Sequence, residues 1–499
     1  MSTASTPSTD PKPPSRSVES TVLLLTTIGT LMVAVDSTIV ILALPTMAKE
    51  LSSPLSTIIW TILVYLLITA ALTTQAGRLG DMFGRGNVYN TGFAVFTIGS
   101  AVSGFAPSAD TLIAARAVQA IGGALIFANS GALIASVFPP DRRGRAFGYL
   151  VFGWSVGAIL GILLGGVITT ELGWRYIFFI NIPIGIVAVA LGLRTLPNGV
   201  PQRVKFDAAG FVVFSAMLAL ICYGLIELAV FGVTAANIAY LALGALLAPL
   251  FVYTELRNPD PMLQLRTLRN RLLGFSLLAT LFQALGYLCV IFLLTMYLQG
   301  LRGLTPLDAS LLLVPGYLLG ALAGPWMGGR VDRRGARVLA TVGILLMAVA
   351  VLAYAQLGVT SWLGWVPLIS LLTGIGSGMF YPANNTVIMA QASPRTFGEI
   401  SGLRVTLSNI GTLLSFVLAL TIASASIPRA LAYQVFLGTT NLVGGLGADF
   451  LTGIHAALYG AVAILLLAAV LSWSRGHEEG HPVSVVTSAA TPPLDSDAP

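Results

Sequence analysis

Fourteen stretches of mostly apolar residues follow one another along this chain. Each is close to the length, about 20 residues, that an α-helix needs to cross a bilayer. Lipid offers no partner to an unpaired backbone amide, so such stretches must close their hydrogen bonds internally, as helices. They are predicted near residues 20–45, 57–77, 88–105, 111–138, 144–170, 174–194, 207–230, 234–255, 271–299, 306–329, 336–358, 362–391, 397–424 and 451–474. With 56% apolar and 9% charged residues and a mean hydropathy of +0.87, the composition is not that of a soluble globular domain. The expected class is an all-α integral membrane protein.

An even number of spans puts both chain ends on one side. Of the 26 Lys and Arg, 20 fall in tails and loops on that side, among them Arg142, Arg143, Arg145, Arg266, Arg269, Arg271, Arg333, Arg334 and Arg337. Only Lys49, Arg175, Arg302 and Arg429 fall on the other, so the positive-inside rule predicts cytoplasmic ends. The basic surplus orients the chain, and no nucleic-acid module accompanies it. Cys222 and Cys289 sit inside apolar stretches and the three histidines are scattered, so neither a disulfide framework nor a metal site is expected. No nucleophile and base set and no phosphate loop points to an enzyme, and no cofactor is expected.

Residues 77–85 read Gly-Arg-Leu-Gly-Asp-Met-Phe-Gly-Arg, and residues 328–337 read Gly-Gly-Arg-Val-Asp-Arg-Arg-Gly-Ala-Arg. A basic turn of the same spacing recurring between apolar helices marks two related membrane halves. The expected organisation is a disordered tail at 1–19, a six-helix bundle at 20–196, two inserted helices with linkers at 197–270, a second six-helix bundle at 271–474 and a disordered tail at 475–499.

Four stretches carry a family resemblance: Asp36 to Pro45 in helix one, the loop Gly77 to Arg85, Arg116-Ala-Val-Gln119-Ala-Ile-Gly122-Gly123 in helix four, and Gly173 to Pro183 entering helix six. In this order and spacing the chain resembles the major facilitator superfamily, in particular its fourteen-helix drug/proton antiporter branch of the EmrB/QacA type. The resemblance implies two six-helix bundles with two inserted linker helices. It also implies proton-coupled multidrug export by alternating access, an antibiotic-resistance type of activity, by a monomer in the plasma membrane. One pattern departs: Gly157, Gly161, Gly165 and Gly166 are kept in helix five, but Ile162 stands where exporters of the superfamily carry proline. Helix ten has the full pattern, with Gly320, Gly324, Pro325, Gly328 and Gly329. Glycines four apart share a helix face. Family architecture pairs helices five and ten, so Gly157, Gly161, Gly165, Gly320 and Gly324 are expected to form either a tight contact or a sliding seam there.

Asp36 is the foremost candidate. An ionised carboxylate near the middle of a span is costly, so it should face a cavity or a partner and is suited to reversible protonation. Arg116 either pairs with it or hydrogen-bonds carbonyls of helix one. At the cytoplasmic gate, Gly77, Asp81, Gly84 and Arg85 have counterparts in Asp332 and Gly335. Each aspartate either caps the next helix or holds an arginine network that switches. Arg404, inside helix thirteen, seals the cytoplasmic side or meets Glu399. A polyspecific pocket needs apolar and aromatic walls with a few polar groups. Candidates are Asp36, Tyr65, Gln119, Asn129, Trp154, Gln283, Tyr287, Tyr381, Asn384, Asn385 and Asn409. A carboxylate in that pocket favours monocationic or neutral amphipathic substrates, and helices nine to fourteen offer no mid-membrane acid. Export of an endogenous metabolite or lipid, a non-transporting membrane sensor and an uptake symporter are the rival readings.

Overall fold

The computed structural model describes residues 16–197, 206–263, 265–391, 397–425 and 446–476. Most of both predicted tails, the linker 198–205 and the loop 426–445 lie outside these residues. So do the side chains of Arg142, Arg143, Arg145, Arg333, Arg334, Glu399 and Asp332 and the surroundings of Gly324.

Among the described residues the secondary structure is helical throughout. The first half holds α1 (Arg16–Glu50), α2 (Trp60–Phe83), α3 (Arg85–Gly104), α4 (Ala109–Val137), α5 (Pro140–Glu171) and α6 (Tyr176–Thr195). Two helices follow, α7 (Ala208–Phe231) and α8 (Ala235–Arg257). The second half holds α9 (Arg271–Leu301), α10 (Pro306–Arg334), α11 (Ala336–Tyr354), α12 (Trp365–Ala390), α13 (Phe397–Ala425) and α14 (Leu446–Ser474). Thirteen of these are long and apolar enough to cross a membrane. The remaining one, α3, has the length, but Arg85, Asn87, Asn90 and its glycines lower its hydropathy.

The halves repeat one pattern of packing. In the first, α1 lies along α5, α3 and α2 each pack on α4, and α3 touches α6. In the second, α9 lies along α13, α11 and α10 each pack on α12, and α11 touches α14. The halves meet through α5 with α10 and through α2 with α13, pairs that are each other's counterparts in the repeat. The α7–α8 hairpin packs through α7 on both α2 and α13, so it covers one of these two junctions.

Sequence explains the local breaks. The one-residue bends at Gly84 (φ 92°) and Gly335 (φ 77°) join α2 to α3 and α10 to α11 with a positive φ that glycine adopts without strain. In α6 the helix is interrupted at Ile180, where Ser100 Oγ donates to the Phe178 carbonyl at 2.8 Å and Asn181 Nδ2 donates to Ser100 Oγ at 3.0 Å. In α9 the break at Leu288 leaves Cys289 N–H to donate to Ser415 Oγ of α13 at 3.0 Å. Side chains thus satisfy backbone groups that lipid could not. A π-turn, Met296–Leu301, ends α9.

Candidate functional site

Arg116 reaches from α4 into the interior of α1. Its Nη1 donates to both carboxylate oxygens of Asp36, at 2.9 and 2.7 Å, and to Gln119 Oε1 at 2.8 Å. Gln119 Nε2 donates to Asp36 Oδ1 at 2.8 Å, and Arg116 Nε donates to the Thr61 carbonyl of α2 at 3.0 Å. The guanidinium lies over the Tyr65 ring at 4.3 Å and the Phe178 ring at 5.7 Å. Asp36 and Gln119 are fully buried and Arg116 is 1% exposed. A pair this dry needs hydrogen bonds around it, and here both carboxylate oxygens and Arg116 Nε and Nη1 are engaged. Of the two arrangements open for Arg116, pairing with Asp36 is the one found, and its carbonyl partner is on α2 rather than α1.

Close helix approach sets this geometry. A Cβ on Gly99 of α3 would lie 2.6 Å from Gln119 Cα, and one on Gly123 would lie 2.6 Å from Tyr65 Oη. Bare glycine therefore lets α3 back onto α4 at Gln119 and leaves room for the tyrosine over Arg116.

Several expectations need correction. Asp36 and Gln119 do not open onto a pocket: they are consumed by the ion-pair network, so a monocation preference based on Asp36 loses its basis. Asn129 is a packing residue, donating to the carbonyls of Ala76 at 3.0 Å and Leu125 at 2.9 Å. Asn384 bridges helices, with Nδ2 donating to Ser276 O and Thr280 Oγ1 and Oδ1 accepting from Arg475. Among the described residues the glycine stripes do not face each other. Gly157, Gly161 and Gly165 pack on Leu31, Val35 and Ile39 of α1, and Gly320 packs on Gly374 and Ser377 of α12. Among the described residues, a close glycine contact between α5 and α10 is made by Gly166, whose Cβ would lie 2.8 Å from the Pro306 carbonyl. Stripe spacing tells which residues share a face, and the neighbour that the face meets is a property of the whole bundle.

The remaining pocket candidates fall into two places. In the first half, Trp154 is 41% exposed and meets Phe127 edge to face at 5.5 Å. In the second, Gln283 Nε2 donates to Tyr381 Oη at 3.3 Å, and Tyr287 lines a small cavity with Tyr317, Tyr354, Ser370 and Thr373. Tyr317 and Tyr354 escaped the sequence reading; their recurrence on neighbouring helices at matching depth was the available signal. Asn385 and Asn409 are partly exposed.

At the end of the bundle where α1 begins, Asp81 is joined to Arg85 across the Gly84 bend, with Arg85 Nε and Nη2 each 2.9 Å from Oδ1. Arg85 Nη1 also donates to the Ala132 carbonyl of α4 at 3.2 Å. No side chain caps α3, so for Asp81 the arginine contact replaces the cap. Gly77 faces open space. A further cluster was not anticipated. Asp207 Oδ1 caps α7 at Gly210 N (2.9 Å), and its Oδ2 accepts from Met262 N at 3.0 Å. Glu255 Oε2 accepts from Leu263 N at 2.7 Å, while Arg78 of α2 donates to the carbonyls of Asp260 and Pro261. These contacts tie the hairpin and its linker to the end of α2.

Comparison with known proteins agrees with this architecture. The profile of the Major Facilitator Superfamily matches residues 26–416. The chain is 30% identical to the riboflavin transporter RibZ of Clostridioides difficile (strain 630), over 83% of this chain and 89% of that one. It is 30% identical to the tetracenomycin C resistance and export protein of Streptomyces glaucescens, over 78% and 73%. It is 28% identical to the multidrug resistance protein Stp of Mycobacterium tuberculosis (strain CDC 1551 / Oshkosh), over 90% and 91%. Among solved structures, an inward-facing, unoccupied bacterial homologue of the human lysosomal transporter Spinster superposes with a TM-score of 0.65, at 18% identity, over 93% of this chain and 98% of that one. With its helical fold and multi-pass character, the chain belongs to the Major Facilitator Superfamily and is a membrane transporter, not an enzyme.

Proposed function

We propose that this transporter is a proton-coupled exporter of hydrophobic or amphipathic compounds, of the fourteen-helix drug/proton antiporter type. It works by alternating access as a monomer in the plasma membrane, with both chain ends in the cytoplasm and the bundles 20–196 and 271–474 moving as units. The buried contact of Asp36 with Arg116 and Gln119 carries the reading. Protonation removes the charge that holds Arg116, so proton uptake loosens α4 from α1. The same α1 packs along α5 and reaches the other half, where its Leu42 carbonyl accepts from Gln299 Nε2 at 3.2 Å. One helix thereby links the proton to the junction between halves, which gives the proton a differential effect on two conformations. The bends around Gly77, Asp81, Gly84 and Arg85, and around Asp332 and Gly335, form the cytoplasmic gate. Tyr65, Trp154, Gln283, Tyr287, Tyr381, Asn385 and Asn409 are the polar and aromatic groups nearest the substrate path.

Similarity to the multidrug resistance protein Stp and to the tetracenomycin C export protein supports export of foreign compounds. Similarity to a riboflavin transporter supports a second reading, transport of one metabolite by the same machinery. The test uses vesicles that contain the purified chain under an imposed pH difference, challenged with lipophilic cations and neutral drugs. Substrate-driven proton release with uphill accumulation supports antiport. Proton movement along with the substrate would make it a symporter, and binding without flux would make it a sensor.

A further inference from the structure

The inserted helix α7 is fastened to both halves. Where it starts, Gln75 Nε2 of α2 donates to the Asp207 carbonyl at 3.3 Å, and Arg78 of α2 holds the linker after α8 by the carbonyls of Asp260 and Pro261. Toward its other end, the Tyr223 ring lies 6.3 Å from the Trp60 ring of α2. Two residues further on, the Leu225 carbonyl accepts from Thr421 Oγ1 of α13 at 3.1 Å. Between these anchors Phe214, Leu218, Cys222 and Ile226 fall four apart on one face. All four are buried, in one core with Leu63 of α2 and Val417 of α13. On the same flank the halves also bond directly, the hydroxyls of Thr74 of α2 and Thr406 of α13 lying 2.8 Å apart.

The α5–α10 flank is held differently. At the end where α5 stops and α10 starts, Leu307 N donates to Thr170 Oγ1 at 3.2 Å and Gly166 approaches Ser310 and Pro306. Among the described residues neither α7 nor α8 packs on this flank. Two packed bodies that rotate against each other turn about the flank that is harder to part. Parting α2 from α13 would tear α7 from one of them along its whole buried face, and lipid chains replace such interdigitated packing only in part. Parting α5 from α10 at that end gives up the Leu307–Thr170 bond and the Gly166 contact. We propose that α7 is a strap that keeps α2 and α13 together throughout the transport cycle, so that the halves swing about this flank and part at α5–α10. The proposal rests on the alternating access of the exporter reading and gives that motion an axis.

Pulsed electron paramagnetic resonance on the purified full chain tests it with two pairs of nitroxide labels. One pair, Thr57→Cys with Ala425→Cys, spans the strapped flank where α2 starts and α13 ends. The other, Glu171→Cys with Leu311→Cys, spans the α5–α10 flank at the same end of the bundle. Cys222 and Cys289 are buried, and the unsubstituted chain serves as the control for their labelling. Between acid and alkaline pH the α5–α10 pair should gain a second, longer distance population while the α2–α13 pair keeps a single one. Trimming the strap with Phe214→Ala and Leu218→Ala together should give the α2–α13 pair a second population as well. Movement at the α2–α13 pair of the intact chain as large as at the α5–α10 pair, no movement at either, or a fixed α2–α13 pair in the trimmed chain would overturn the proposal. If the trimmed chain does not fold, the two pairs in the intact chain decide. These distances need no substrate, so a failure of proton-coupled ethidium flux in vesicles would sink the exporter reading and leave the axis standing.

Discussion

Gln299 Nε2 donates to the carbonyl oxygen of Leu42 at 3.2 Å, fastening α9 of one half to α1 of the other. Leu42 lies beside Ile41, whose carbonyl is the one that Pro45, with no amide hydrogen, leaves without its helical partner, so α1 is locally loosened there. The contact thus sits next to the loosened turn, on the helix that also carries Asp36.

Replacing Asp36 by Asn should abolish pH-driven transport while the protein still inserts. The variant leaves Arg116 buried without its counter-charge, so it should also lose about 3–5 kcal/mol of stability. Adding Arg116→Gln should recover part of that loss, because the two sites are coupled. Vesicle transport across a pH series and thermal melting of the single and double variants measure both effects. Wild-type pH dependence in Asp36→Asn would move the proton site elsewhere.

The Asp81–Arg85 pair is about one-quarter to one-third exposed. Its direct contribution to stability should therefore be small, within about 1 kcal/mol. Asp81→Asn should nevertheless change which face of the transporter is open, since Arg85 also holds α4 through the Ala132 carbonyl. Cysteine-accessibility labelling on both faces reads this. An unchanged pattern would leave the pair a local brace.

Valine at different glycines should fail in different ways. Gly161→Val would place Cβ 2.6 Å from the Val35 carbonyl, and Gly320→Val would crowd the Gly374 backbone at 3.2 Å, so both strain contacts within one half. Both should lower the yield of folded protein. Gly166→Val strains the junction itself, at Ser310 and Pro306. It should fold, lose turnover and accumulate in the state where that junction is open. Size-exclusion profiles together with accessibility labelling separate the two classes, and a well-folded, active Gly166→Val would show that this contact is dispensable.

The anchor of the hairpin can be cut separately. Asp207→Ala removes the cap at Gly210 N and the acceptor for Met262 N, leaving two amides to find new partners. A loss of about 1–3 kcal/mol is expected, with earlier proteolysis in the segment after α8. Limited proteolysis with mass-spectrometric mapping checks this, and cleavage at wild-type rate would mean that α7 holds without its cap.

Apolar length and charge bias made the helices legible, because lipid leaves a chain so few ways to satisfy its backbone. The bends at Gly84 and Gly335 were legible because a one-residue turn with positive φ calls for glycine. Asp36 and Arg116 could be marked because charges in a span are costly. What each polar residue touches was less open to view. Gln119 shares a helix face with Arg116 three residues away, and only the approach of α3 at Gly99 and of α1 at Asp36 makes it part of the ion-pair network. The hairpin anchor went unseen because Asp207 and Glu255 are far apart in sequence and meet only when α7 and α8 fold back on each other. The direction of the Gly157–Gly165 stripe was likewise a matter of tertiary arrangement, which periodicity does not encode.

Because α7 lies across α2 and α13 while neither α7 nor α8 packs on the α5–α10 junction, the transporter has two unlike flanks toward the bilayer. On one flank, acyl chains meet an extra layer of helix and the crevice behind it is shuttered. On the other, they lie directly against the joint between the halves. The joint between the halves is therefore padded from lipid by the added hairpin on one flank alone.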